Sequence, residues 1–175
     1  MCTLGLDIST SITGVTLLDE DGKMILCEAW DTRNKKKFPT IFHKARHIRE
    51  NLFRLGYPIR KIYIEQSLQS FRSGFSSAQT LSTLSRYNGI ISWICFLDLN
   101  RMPEYIAAPT ARRLCELKVP RGQKAKEVAL QFFLDNGNEI EYTSHGNPKP
   151  GSYDRADSWI IAKAGYKLWT ENSRS

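Results

Sequence analysis

Two aspartates three positions apart, Asp154 and Asp157, precede the apolar run Trp159–Ala164 near the end of the chain. Ser152 just before them is a good N-cap, so the segment reads as the first turn of a helix. The spacing puts both carboxylates on one face, and that face continues into Ile161, Ala164 and Leu168, which the pattern buries. Two carboxylates at the edge of an apolar face repel each other and resist desolvation unless a cation lies between them. A divalent metal held by oxygen ligands is the usual remedy. For this pair alone a simpler reading stays open, in which acids in a first turn complement the helix dipole. Two further acids weigh against it. Asp7 ends the apolar stretch that starts at Thr3, and Glu65 breaks the apolar run Ile62-Tyr63-Ile64. Acids that interrupt apolar strands are poorly explained by packing. Four carboxylates at one point can hold two magnesium ions about 3.5–4 Å apart, which clamps the attacking and leaving oxygens of a phosphodiester.

The elements that must position these groups follow from periodicity. Strands are expected over Thr3–Ile8, Thr13–Leu18 and Lys23–Trp30, the last two joined by the turn Asp19-Glu20-Asp21-Gly22, giving an antiparallel meander. After the basic loop Arg33–Lys37, Pro39 opens a helix to about Leu55 with Ile41, Ala45, Ile48, Leu52 and Leu55 as its apolar stripe. His43 and His47 lie one turn apart on it, but without the acid of an H-E-x-x-H pattern they read as a solvated face. Lys61–Gln66 is a fourth strand. A long helix capped by Ser76 or Ser77 runs to about Leu99, with Tyr87-Asn88-Gly89 suggesting a close packing contact. Glu104–Ala107 is a short fifth strand. Pro109 opens a brief helix, and another runs from about Gln123 to Leu134. The polar, Gly- and Pro-containing stretch Asp135–Gly151 is long enough to be mobile. If the first and fourth strands are neighbours, Asp7 and Glu65 stand side by side, and a helix packed on that sheet can deliver Asp154 and Asp157 to the same point.

A chain of 175 residues fits a single domain over 1–175, and its 41% hydrophobic and 25% charged residues are ordinary for a globular protein. The net charge of +7 is less ordinary, and nucleic acid is the leading partner for such a surface. Cys2, Cys27, Cys95 and Cys115 form no C-x-x-C pair and sit in apolar settings. They read as reduced core thiols in a cytosol-like compartment, cytoplasmic or a host's cytoplasm if the source is viral. No signal peptide and no membrane span is expected.

The order of three strands, helix, strand, helix, strand and helices, with these acids, resembles the ribonuclease H-like superfamily, and more narrowly the RuvC family of Holliday junction resolvases. Gly5-Leu6-Asp7-Ile8-Ser9-Thr10-Ser11-Ile12-Thr13-Gly14 is similar to that family's first-strand motif, and Ile62-Tyr63-Ile64-Glu65-Gln66 to the strand bearing its second acid. Lys118 to Val128, with Gly122, Lys124 and Lys126, resembles its basic loop before a helix. Tyr153-Asp154-Arg155-Ala156-Asp157 resembles its closing Asp-x-x-Asp helix. Ser158 departs from the commoner Ala, and Asp135–Gly151 has no counterpart. The resemblance implies an α/β fold with a five-stranded mixed sheet, an antiparallel meander plus parallel strands, flanked by helices. It implies Asp7, Glu65, Asp154 and Asp157 as metal-binding catalytic acids with two Mg2+ per site, Mn2+ substituting. The implied reaction is hydrolysis of branched DNA to 5′-phosphate and 3′-hydroxyl ends. A homodimer is implied because two symmetric cuts need two sites related by a two-fold, and the long helix ending near Leu99 is its expected surface.

Lys118, Arg121, Lys124 and Lys126 are candidates to neutralise phosphates. Arg72, with Phe71 or Phe75, is a candidate to enter the junction, where an aromatic stacks on an unpaired base; Phe71 and Phe75 read equally well as apolar anchors of their own loop. Other functions remain in view. The same fold could serve an RNA–DNA hybrid or other branched DNA, since specificity lives in loops. The opening residues through Gly22 also resemble the phosphate-binding start of sugar kinases, but 175 residues are too few for two such domains and no later Gly-rich adenosine motif follows. A junction-binding module without cleavage gains nothing from clustered acids, which repel phosphate.

Overall fold

The computed structural model describes residues 1–66 and 78–172. In chain order these form β1 (Cys2–Asp7), β2 (Ile12–Leu18), β3 (Met24–Asp31), α1 (Ile41–Arg54), β4 (Ile59–Glu65), α2 (Ala78–Leu99), β5 (Glu104–Ile106), α3 (Ala108–Leu114), α4 (Ala125–Asp135) and α5 (Ser152–Asn172). Each expected element is present within a few residues of its expected ends. Two small offsets have local causes. Thr40, not Pro39, caps α1, its hydroxyl accepting from the His43 amide, and Ala107 in extended conformation precedes α3, leaving Pro109 in the first turn, where its missing N–H costs nothing.

The sheet has the order β3-β2-β1-β4-β5. β1–β2 and β2–β3 pair antiparallel, whereas β1–β4 and β4–β5 pair parallel. The parallel pairs need crossovers, which α1 and α2 supply. β2 is buried along its whole length and β1 nearly so, because both sheet faces are covered. Leu4, Leu6, Val15, Leu17, Ile62 and Ile64 point to one face and pack with Ala45, Ile48 and Leu52 of α1 and Tyr87, Ile91 and Cys95 of α2. On the other face Tyr63 and Ile106 pack with Ala111, Phe133, Trp159, Ile160, Ile161 and Ala164 from α3, α4 and α5. Alternation along the strands therefore sends Gly5 and Asp7, Gly14 and Thr16, and Tyr63 and Glu65 toward α5.

Two sequence expectations are refined. The polar stretch after α4 contains local structure. Tyr142 and Pro148 form a bridge, the Thr143 amide donates to the Asn147 carbonyl at 2.8 Å, and Lys149 pairs with Glu141 at 2.6 Å, closing a small hairpin ahead of α5. In α2 the close packing belongs to the buried Tyr87 and Asn88; Gly89 faces outward, and a Cβ on it would meet nothing. The expected cap of that helix, Ser76 or Ser77, lies outside the described residues. Among those described the cysteines are free, with Cys2, Cys95 and Cys115 buried and Cys27 half-buried, and no helix is long and apolar enough to cross a membrane.

Candidate active site

Leu6 pairs with Ile64 across the parallel β1–β4 ladder, so the next residues, Asp7 and Glu65, leave the sheet side by side at the ends of their strands. Asp7 lies opposite Gly14 in the antiparallel ladder to β2. Across that face runs α5, held down by residues too small to separate it from the sheet. A Cβ added to Gly5 would lie 2.6 Å from Ala162, one on Gly14 would lie 1.9 Å from the Asp154 carbonyl oxygen, and one on Gly165 would strike the Tyr63 ring. The Ser158 and Thr16 hydroxyls stand 2.9 Å apart, and Ser158 also donates to the Arg155 carbonyl. The serine that departs from the family pattern is thus a fully buried tie between α5 and β2. The Arg155 guanidinium donates to the Cys27 carbonyl of β3 at 3.0 Å. These contacts fix the first turn of α5 above the end of β1, with Asp154 and Asp157 turned toward Asp7 and Glu65.

The electrostatics record that convergence. The Asp7 carboxyl is pushed well above its usual range, first by burial and then by the charges of Glu65, Asp157 and Asp154. Burial, then Asp157, raises Glu65 to about 7. Asp157 is raised to about 6, mainly by burial and also by Asp154, and burial raises Asp154. Lys126, in the first turn of α4, opposes the shift at each of the four. α4 is fixed for this by Phe133, whose ring meets Trp159 of α5 edge-on at 5.6 Å. Arg112 of α3 opposes the shift at Glu65 and Asp157, and Arg33, after β3, does so at Asp154.

The structure thus brings the four predicted acids and Lys126 together. Lys118, Arg121 and Lys124 lie exposed on the α3–α4 connection, with Lys124 paired to Glu127 at 3.3 Å. Phe71, Arg72 and Phe75 lie outside the described residues. Arg112 and Arg33 escaped the sequence reading. Each is one of several adjacent basic residues, and only the packing of α3 and the exit of β3 distinguish them.

All four acids offer hard oxygen donors, and their mutual repulsion is what a hard divalent cation relieves, so the donor chemistry fits magnesium or manganese. Among the described residues, however, no three His, Cys, Asp or Glu side chains stand close enough to form a metal-binding group as placed. The carboxylates are near enough to raise one another's pKa without being drawn into a closed ligand set.

No family model matches the chain and no curated protein does. Solved structures do. Thermus thermophilus RuvC in complex with a Holliday junction superposes with a TM-score of 0.66 at 16% identity, over 99% of this chain and 97% of that one. The chain has the fold of the RuvC-like resolvases. The yeast mitochondrial Holliday junction resolvase superposes with a TM-score of 0.65 at 14% identity, over 98% of this chain and 80% of that one. Fowlpox virus resolvase bound to junction DNA gives 0.51 at 16% identity, over the full length of both. The RuvC-like fold thus accounts for the mixed five-stranded sheet with helices on both faces. It also accounts for the run of elements from β1 to α5 that sequence periodicity anticipated.

Proposed function

We propose that this chain is a metal-dependent endonuclease that resolves four-way DNA junctions by symmetric phosphodiester hydrolysis, leaving 5′-phosphate and 3′-hydroxyl ends. The observation that carries the reading is the meeting of Asp7, Glu65, Asp154 and Asp157 at the ends of β1 and β4 and the first turn of α5, on a scaffold whose superposable structures include resolvases with junction DNA. A pure binding surface would not gather acids where a phosphate must sit.

Asp7, Glu65, Asp154 and Asp157 would hold two Mg2+ ions, or Mn2+ in their place. Bound there, the metal supplies Lewis-acid stabilisation of the phosphoryl oxygens and an activated water. The protein's own part is electrostatic and geometric. The carboxylates are half-buried, so each is partly desolvated. Lys126 and Arg112 put positive charge beside them, which draws a phosphodiester toward an otherwise repulsive cluster and offsets charge that develops on it. Gly5, Gly14 and Ser158 keep α5 at the distance the cluster needs.

Two such sites related by a two-fold would make the paired cuts, so the active form is a homodimer. α2 supports this. It is apolar on more than its sheet-facing side, with Trp93, Phe96 and Leu97 exposed at 59%, 40% and 56%, the pattern of a surface awaiting a self-complementary partner.

The deciding experiment incubates the protein and Mg2+ with a synthetic four-way junction, a linear duplex and an RNA–DNA hybrid, with Asp7→Asn as control. Paired symmetric nicks in the junction alone, lost in Asp7→Asn while binding persists, are expected. Cleavage confined to the hybrid would move the function to RNA removal, and tight junction binding without cleavage in either metal would reduce the chain to a binding module.

A further inference from the structure

A second basic surface lies away from the α3–α4 connection. Two adjoining hollows run from the exit of β3 along α1. The first, of about 610 Å³, is lined by Asp31, Arg33, Asn34, Lys37 and Phe38. The second, of about 280 Å³, takes up Lys37 and Phe38 again and continues over His43, Arg46, His47 and Arg54. The two hollows meet at Lys37 and Phe38, which line both, and are treated together as one groove. Its floor is built: Phe38 is 6% exposed, the His47 ring packs against it at 4.8 Å with the planes tilted by 41°, and the Lys37 ammonium lies over the same ring at 5.2 Å.

The charges along the groove converge. Arg33, Lys37, Arg46 and Arg54 face only Asp31 and Glu50, and Lys35 and Lys36 sit on the same exposed loop. Arg33 is held in place by hydrogen bonds of 3.0 Å from its Nε to the Asp31 carboxylate, and it is Arg33 that feels the charge of Asp154. That end of the groove is thus within electrostatic reach of Asp154. Burial, with Lys37 and Arg54 adding positive potential, holds His47 below its usual pKa, so the ring stays neutral at physiological pH as part of the floor. Lys44 is spoken for, its ammonium donating to the Thr10 carbonyl, which ties α1 to the β1–β2 turn next to Asp7. A merely solvated helix face would balance its charges; this hollow sets Arg33, Lys37, Arg46 and Arg54 against Asp31 and Glu50.

We propose that this groove is a second nucleic-acid-binding surface, holding the sugar–phosphate backbone of the DNA arm that leaves the site past Asp154. The inference rests on the nuclease reading above and adds to it the path of the substrate. The spacing suits a backbone. Arg46 and Arg54, eight residues apart on one helix, are offset by about 12 Å along its axis, the rise of three to four nucleotides of a duplex strand at about 3.4 Å each.

The test is the salt dependence of binding to a fluorescent four-way junction without divalent cation, so that nothing is cut, for the wild-type chain and for Lys37→Ala/Arg46→Ala/Arg54→Ala. Each phosphate contact contributes about 0.9 to the slope of log Kobs against log salt, so the triple variant is expected to flatten the slope by about 2–3 and to weaken binding at least tenfold at 100 mM salt. Its melting temperature should match the wild type, and Lys37→Arg should bind as the wild type does. An unchanged slope and affinity in a folded triple variant overturns the groove, while junction cleavage by that variant leaves the resolvase reading standing. Wild-type binding to duplex but with no preference for the junction, with the slope still flattened by the triple variant, keeps the groove and sinks junction specificity. No binding of the wild type to any DNA overturns both.

Discussion

Gly14 of β2 lies directly beneath Asp154 of α5: a Cβ on the glycine would be 1.9 Å from the aspartate's carbonyl oxygen. Gly14 is also the antiparallel partner of Asp7. One missing side chain therefore sets how closely a metal-ligand candidate on the helix approaches one on the sheet. Gly14→Ala must lift the start of α5. A loss of about 2–4 kcal/mol in stability is expected, and cleavage should fall by about 100-fold or more even in the folded fraction, because small misplacements of reacting groups are costly. Gly89→Ala, whose Cβ meets nothing on an exposed helix surface, should be neutral or stabilise by up to about 1 kcal/mol. Thermal unfolding and single-turnover cleavage of the two variants side by side check this; equal behaviour would remove the argument for close approach.

The raised acids make stability depend on pH in a defined direction. Glu65 and Asp157, at about 7 and about 6 when folded, keep protons that the unfolded chain has released by about pH 4–4.5. The folded state then binds more protons than the unfolded state, so without divalent cation stability should fall as pH rises from about 4.5 to about 7. Glu65→Gln and Asp157→Asn should each raise stability at pH 7.5 by about 1–3 kcal/mol and give no gain at pH 4.5. Denaturant unfolding across pH checks this, and a flat profile would mean that neither burial nor neighbouring charge raises these carboxyls.

Magnesium should act on the same groups. At pH 7.5 a concentration about 100 times Kd should stabilise the protein by about 2.7 kcal/mol. The effect should shrink toward pH 5 as Glu65 and Asp157 take up protons that compete with metal, and it should vanish in Asp7→Asn. Thermal shift with Mg2+ and with Ca2+ at both pH values is the measurement. A shift that survives Asp7→Asn would place the ion elsewhere.

The Thr16–Ser158 contact, 2.9 Å and fully buried, should show coupling. Ser158→Ala is expected to cost about 1 kcal/mol, and Thr16→Val/Ser158→Ala should cost less than the two single changes added together, because no hydroxyl is then left without its partner. Strict additivity in the double-mutant cycle would assign Ser158 to its local bond with Arg155 alone.

The dimer reading predicts that Trp93→Glu/Leu97→Glu, at exposed positions of α2, sediments as a folded monomer at micromolar concentrations where the wild type is a dimer. The monomer should bind junctions more weakly and lose the pairing of its two cuts. A wild-type monomer under those conditions would remove the dimer claim.

Much of this was legible in sequence because the decisive residues break local rules. Asp7 and Glu65 interrupt apolar strands, and a helix opening with Asp-x-x-Asp against a buried face asks for a cation. The β1–β4 neighbourhood stood in the sequence only as a condition, which the structure meets. What stayed hidden depends on packing between distant elements. Arg112 and Arg33 look like their basic neighbours until α3 and the end of β3 are set against the acids. Gly14 and Ser158 look like a flexible spot and a substitution until α5 is laid on β2. The hairpin over residues 141–149 was missed because its closure rests on one bridge, one ion pair and a few backbone bonds, none of which leaves an apolar period. His43 and His47 read as a wet helix face, yet His47 helps floor a groove because Phe38 folds back beneath it.

The tie between Thr16 and Ser158 spans 142 positions, and it couples the β1–β2 hairpin to α5. Without that helix Asp7 and Glu65 still stand side by side, but Asp154 and Asp157 are missing from the cluster. The four-carboxylate cluster is therefore a property of two distant stretches of sequence at once, and a fragment that lacks either one cannot assemble it, however well its remaining strands pair.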